Sequence, residues 1–319
     1  MSSRHLVDPE LAQMLEAAPN MGVSAETLTA TRARVGVMTQ MGLAEPDSSV
    51  AVTQHFARGR HGAPDARLLL YKPRGLPGKA PILLQIHGGG FLFGTAELGD
   101  PRHRAWAKAL GCAIVTVDYR LAPETPFPGA LDDCYAVLEW LHANAAAQGL
   151  DADRIAVRGD SAGGGLAASL CQIARDRFGP KIAFQLLIYP MLDDRTGVIG
   201  EPNPYAGEFV WDAQSNAFGW RCWLGMAPGS SGVPPFAAAA RTEDLSNLPP
   251  TFIGAGALDI FIDENLDYAR RLIRAGVPTE VHVAPGAFHG FDAIAPTACV
   301  AQDFTDCWLG ALKRAFAHS

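Results

Sequence analysis

No run of about 18 or more apolar residues occurs in this 319-residue chain, so its sequence offers no candidate for a membrane-spanning helix. The first nine residues, Met1 to Pro9, lack the apolar core of a signal peptide, and no Asn-x-Ser/Thr acceptor for glycosylation is present. Six cysteines are scattered at 112, 134, 171, 222, 299 and 307 without a C-x-x-C pair, which excludes the usual spacing of a zinc site and a small-domain disulfide framework. Together these absences give the expectation of a cytoplasmic protein with reduced thiols and no stable membrane anchor. A basic stripe is also missing, and the net charge is −7; phosphate binding needs clustered Lys and Arg, so nucleic acid is not an expected partner.

What the chain does have is alternation. Short apolar, β-rich runs at 66–71, 82–86, 113–117, 154–158, 182–188, 251–255 and 279–283 are separated by amphipathic stretches such as 130–148, 161–177 and 264–275. Several runs are continuous rather than alternating, the pattern of strands covered on both faces. This predicts an α/β fold with a mostly parallel sheet flanked by helices. Two regions break the rhythm. Residues 9–17 and 25–41 read as helices with no strand between them, and 194–235 is rich in Gly, Pro and aromatics. In that second region Trp211, Phe218, Trp220 and Trp223 fit an ordinary packed helix, or a lid whose aromatic face roofs a pocket.

The most informative stretch is Gly159-Asp160-Ser161-Ala162-Gly163, a G-x-S-x-G pattern directly after a strand-like run. A strand that turns abruptly into a helix lifts the turn hydroxyl above the sheet edge and aims the next amide N–H into the same space. The following glycines also match a loose dinucleotide spacing through Gly163, Gly165 and Ala168. No carboxylate stands about 20 residues on, near Ala183 and Gln185, to hold a ribose, so tight helix packing explains them better.

A serine is a weak nucleophile without a base and an orienting carboxylate. Asp259 follows the run 251–255 and His289 follows 279–283, both at the strand ends where ligands bind in open parallel sheets. Each has a rival: Asp263, placed as a helix-start residue, and His282, inside a strand. His87-Gly88-Gly89-Gly90-Phe91, after 82–86, exposes backbone N–H groups without side chains in the way, as stabilising an oxyanion requires. His87 itself is expected to tie this loop down by a hydrogen bond.

With these residues in place, the chain resembles the hormone-sensitive-lipase family of α/β-hydrolases, the bacterial esterase branch with an HGGG loop. The match rests on His87 to Phe91, Tyr119-Arg120-Leu121-Ala122-Pro123-Glu124, Gly159 to Gly164, the 259–264 segment and Gly286-x-x-His289-x-Phe291, spanning about 80 to 300 in the family's order. One departure is the segment Asp259-Ile260-Phe261-Ile262-Asp263-Glu264, where the family usually has Pro after its Asp. The resemblance implies an α/β-hydrolase fold with a central sheet of about eight strands and a helical cap made of 1–45 and 194–235, the core being 46–193 and 236–319. It implies Ser161 as nucleophile, His289 as base, Asp259 as its orienter, and the amides of Gly89, Gly90 and Ala162 as oxyanion donors. The activity implied is hydrolysis of short-chain carboxylic esters through an acyl-enzyme, needing no metal or cofactor, with a small-molecule ester as partner. It also implies homodimer pairing through an edge strand, here 279–283. Two other readings stay open: an amide, formamide or carbamate hydrolase, and a non-catalytic ligand-binding member of the fold.

Overall fold

The computed structural model describes residues 2–15, 20–43, 48–76 and 78–318. Among them, eight strands form one sheet: β1 (Val50–Ala57), β2 (Ala66–Pro73), β3 (Ala80–Ile86), β4 (Ala113–Asp118), β5 (Leu150–Asp160), β6 (Phe184–Ile188), β7 (Thr251–Gly256) and β8 (Thr279–Ala284). Their spatial order is β1-β2-β4-β3-β5-β6-β7-β8. The β1–β2 and β2–β4 pairs are antiparallel and all the others parallel. Every residue of β3, β6 and β7 is buried, which is why these strands read as unbroken apolar runs.

The helices are α1 (Pro9–Met14), α2 (Leu28–Met41), α3 (Asp100–Leu110), α4 (Gly129–Asn144), α5 (Ala162–Asp176), α6 (Ala213–Leu224), α7 (Ile262–Arg274), α8 (Phe291–Ile294) and α9 (Cys299–His318). Successive side chains of a strand point to opposite faces, and β3 shows the two cores this creates. Ile82, Leu84 and Ile86 join a cluster with Leu138 of α4 and Leu166 of α5, whereas Leu83 joins one with Trp106 of α3 and Trp308 of α9. The mostly parallel, helix-flanked sheet is the expected α/β-hydrolase architecture. Among the described residues no helix is long and apolar enough to cross a membrane.

Several elements depart from the sequence reading. Strand β1 has no counterpart there, because it is an edge strand with only Val50 and Ala57 buried and so lacks a continuous apolar run. Helices α3 and α9 have no counterpart there either. The helix expected over 9–17 is α1, which ends at Met14; Glu16 and Ala17 lie outside the described residues. The one expected over 25–41 begins at Leu28, after a turn. The boundary expected between residues 45 and 46 lies outside the described residues. Within 194–235 the regular element is α6, bounded by the Asp212 carboxylate, which accepts from the Ser215 N–H at 2.7 Å, and by Gly225 in the left-handed region.

One buried charge ties the layers together. Arg158 of β5 is fully buried, with its guanidinium 4.6 Å from the Trp106 ring and 4.7 Å from the Trp308 ring. Its Nη1 donates to Asp160 Oδ2 at 2.6 Å and to Gln85 Oε1 at 2.8 Å. Desolvated cation–π contacts contribute about 2 kcal/mol, and removing one partner of a buried pair leaves the other charge uncompensated. Arg158→Met is therefore expected to destabilise the fold by about 3 kcal/mol. Urea unfolding measures this, and a cost near zero would contradict the role assigned to the ion pair.

Candidate active site

The site begins where β5 ends. Ser161 occupies the turn into α5 at φ +56° and ψ −121°, a region that costs a non-glycine residue about 1–3 kcal/mol. The surroundings hold it there. The Ser161 N–H donates to Ile188 O at 2.9 Å, and Ser161 O accepts from Gly165 N at 3.1 Å and Met191 N at 2.9 Å. A Cβ on Gly159 would lie 2.0 Å from Gly163 O, and one on Gly163 2.2 Å from Ile86 O, so this turn closes only with glycine at both places. Protein backbone fills the space beside Gly163, which settles the dinucleotide alternative in favour of tight packing.

The loops after β7 and β8 bring Asp259 and His289 to the same place. His289 Nε2 is 3.0 Å from Ser161 Oγ, and His289 Nδ1 is 2.7 Å from Asp259 Oδ2. A carboxylate can only accept, so Nδ1 carries the proton and Nε2 is left to accept from the serine hydroxyl. Asp259 is wholly buried, and its Oδ1 accepts from the Phe261 N–H at 3.0 Å. That local turn orients the carboxylate without the proline usual at the next position. Tyr189 and Phe261 pack edge-on to the imidazole, with centroids 4.8 and 5.3 Å away. The rivals lie elsewhere. His282 is on β8 with Nδ1 3.5 Å from Cys307 Sγ, and Asp263 is in the first turn of α7, accepting from Asn203 at 3.3 Å.

The glycine loop follows β3 and faces Ser161. Among the described residues, the N–H groups of Gly89, Gly90 and Ala162 have no acceptor within the protein, so three donors stand free around the serine. His87 anchors this loop as expected: its Nδ1 donates to Gly88 O at 2.7 Å, and its ring stacks on Tyr119 at 4.1 Å. Burial pushes the His87 pKa down, which keeps the ring neutral. A second anchor was not legible in the sequence. Arg32 of α2 donates to Leu92 O at 2.8 Å and Ala122 O at 2.7 Å, and grips both carboxylate oxygens of Glu124.

A cavity of about 260 Å³ opens over Ser161. Met21, Phe93, Val210, Trp211 and Ile294 make its apolar wall, while Gln85, Arg102 and His103 make a polar end. Trp211 thus faces the cavity, as the lid reading of the aromatic region requires. Trp220 and Trp223 instead pack on Phe91 at 5.4 and 4.8 Å, as the packed-helix reading requires. Sequence patterning gave no sign of Met21, Tyr189, Arg102 or Val210, because each reaches the cavity from a segment distant in the chain.

Residues 83–293 match the family model described as alpha/beta hydrolase fold. Carboxylesterase NlhH of Mycobacterium tuberculosis is 35% identical over 315 residues, covering 97% of this chain and 96% of the relative. Esterase LipI of the same organism is 34% identical, covering 96% and 94%. The solved structure of a bacterial heroin esterase superposes with a TM-score of 0.92 at 39% identity, covering 98% of this chain and 99% of that one. A buried Ser-His-Asp arrangement on this sheet, esterase relatives over nearly the whole length and a shared fold lead to one conclusion: the chain belongs to the alpha/beta hydrolase fold family and is a serine carboxylesterase.

Proposed function

We propose that Ser161 is the nucleophile, His289 the general base, Asp259 its orienter, and the amides of Gly89, Gly90 and Ala162 the oxyanion hole. The observation that carries this assignment is the unbroken hydrogen-bonded line Asp259, His289, Ser161 beside three unpaired amides. His289 Nε2 takes the Ser161 proton as Oγ attacks the ester carbonyl. The negative charge on the former carbonyl oxygen meets donors fixed in advance, each of which contributes about 10²–10³ in rate. Asp259 stabilises the imidazolium, which then protonates the departing alcohol. Water enters, His289 deprotonates it, and the same cycle releases the acid and regenerates Ser161.

The assignment is tested by substitution and labelling. Ser161→Ala is expected to lower kcat by about 10⁶, and Asp259→Asn by about 10⁴, because the amide favours the wrong imidazole tautomer and carries no charge to stabilise the imidazolium. A fluorophosphonate is expected to label Ser161 covalently. Near wild-type turnover of short p-nitrophenyl esters by Ser161→Ala, or an unlabelled Ser161, would refute these roles. The amide, formamide or carbamate reading and the ligand-receptor reading are not favoured: the relatives over nearly the full length are esterases, and a receptor has no use for an oriented base.

In the same proposal, residues 1–45 and 194–235 form the cap and 46–193 with 236–319 the core. Met21, Val210 and Trp211, all from the cap segments, wall the cavity over Ser161 and limit its volume. The compact cavity supports short-chain acyl esters as substrates. In a series of p-nitrophenyl esters, kcat/KM is expected to fall steeply beyond short acyl chains; a flat profile from acetate to laurate would contradict a closed cap pocket.

We also infer a cytoplasmic homodimer joined at β8. The six cysteines are free thiols, and β8 is an edge strand with Val281 and Val283 each more than a third exposed. Esterase activity in a host extract is expected in the cytosolic fraction, at about twice the 33.9 kDa chain mass by sedimentation. Sedimentation as a monomer, or recovery of the activity outside the cytosol, would overturn this inference.

A further inference from the structure

Arg102 lines the same cavity as Ser161, yet the proposed catalytic cycle does not use its charge. It stands in the first turn of α3, where the helix dipole disfavours a cation. Its guanidinium lies 5.5 Å from the Trp106 ring and, among the described residues, pairs with no carboxylate and no hydrogen-bond acceptor. The carboxylates at this end are already engaged. Asp160 Oδ2 accepts from Arg158 at 2.6 Å and from Gln85 at 2.6 Å, so its charge is compensated although its Oδ1 has no partner, and Asp292 Oδ1 accepts from the Tyr189 hydroxyl at 2.7 Å.

His103 stands beside it. This residue is 2% exposed, lines the cavity, and keeps its Nδ1 without a partner. Burial, reinforced by the nearby guanidinium groups of Arg102 and Arg158, holds its pKa well below the ordinary value, so the ring is neutral at pH 7. Among the described residues that line the cavity, His87 Nε2, His103 Nδ1 and Asp160 Oδ1 are buried polar atoms without a partner, and the Arg102 guanidinium is the cation without one. A ligand carboxylate in the cavity supplies the acceptor that the half-buried guanidinium lacks, and charge-assisted hydrogen bonds of this kind are the strong ones. The planar guanidinium fork matches a carboxylate with two parallel hydrogen bonds.

We propose that the Arg102–His103 end of the cavity binds a carboxylate carried by the ester, so that preferred substrates are half-esters of dicarboxylic acids or acyl esters of hydroxy-carboxylic acids. The proposal rests on the ester-hydrolase reading and specifies its substrate. Hydrolysis is unaltered: water is added across the ester bond, acid and alcohol leave, and the distal carboxylate emerges unchanged.

Two matched pairs test it, one with the charge on each side of the ester. They are para-acetoxybenzoate against para-acetoxybenzamide, and the monophenyl ester of glutaric acid against the phenyl ester of its monoamide. In the wild type, kcat/KM is expected to favour the anionic member in at least one pair. Arg102→Gln is expected to lower that anionic-to-neutral ratio about tenfold, the equivalent of about 1.4 kcal/mol. Arg102→Glu is expected to reverse the preference towards the cationic para-acetoxybenzylamine. As a check that needs no variant, glutarate is expected to inhibit the wild type competitively and glutaramide not to do so. A wild-type preference for the neutral member in both pairs, equal losses on both members in a folded variant, or no inhibition by glutarate would overturn the proposal. Failure of the esterase reading would show differently, as a wild type that hydrolyses none of the neutral esters.

Discussion

The strained turn at Ser161 is the constraint on which the rest of the site depends. Its φ of +56° is sustained only because three neighbours over-determine it: β6 through Ile188 O, the loop after β6 through Met191 N, and α5 through Gly165 N. That loop is itself braced against the elements carrying Asp259. Tyr189 N donates to Gly254 O at 2.6 Å, and Asn265 Nδ2 donates to Pro190 O at 2.7 Å. Glu264, buried in the first turn of α7, accepts from Leu192 N at 2.6 Å, Asp193 N at 3.2 Å and the Thr196 hydroxyl. Nucleophile and orienting carboxylate are therefore cross-tied through one short segment, residues 189–193, and the His289 side chain bonds between two groups whose positions that segment fixes.

Charge in this region is arranged so that few groups compete with the triad for protons. His87 and His103 are both buried and pushed down towards the neutral form. The Tyr189 hydroxyl, buried and hydrogen-bonded to Asp292, is pushed well above its ordinary pKa and keeps its proton. The fixed cation Arg158 is neutralised by Asp160 and screened by two indole rings. Among the cavity-lining groups, that leaves Arg102 as the charge whose partner the protein does not provide.

What could be read from the sequence followed from how local the governing physics is. The turn at 159–163, the glycine loop at 88–90 and the strand ends before Asp259 and His289 are each set by a few adjacent residues, and the structure brings them together. The parallel strands were legible because burial on both faces demands continuous apolar runs. Strand β1 was not, since its interior residues are only half-buried or exposed and its existence depends on pairing with β2. Arg32, Tyr189 and Arg102 were invisible for a related reason. An arginine in a polar helix carries no periodic signal of the carbonyl it will meet 60 residues later.

Arg32 also shows why the N-terminal segment is more than a cover. Its guanidinium holds α2 to the carbonyl of Leu92, next to the glycine loop, and to Ala122 and Glu124 at once. Oxyanion donors help only if they are fixed where charge develops, and a displacement of about 1 Å can cost 10² in rate. The exposed Glu124 partner contributes little to stability by itself, because water and salt screen it. Its effect is geometric, since a bidentate grip sets the orientation in which Arg32 meets the two carbonyls. In the proposed architecture the part of the chain that limits substrate size therefore also steadies the loop that stabilises the transition state. Met21, which walls the cavity, precedes α2 in the same N-terminal segment, so one stretch of chain both bounds the cavity and, through Arg32, ties down the backbone next to the oxyanion donors.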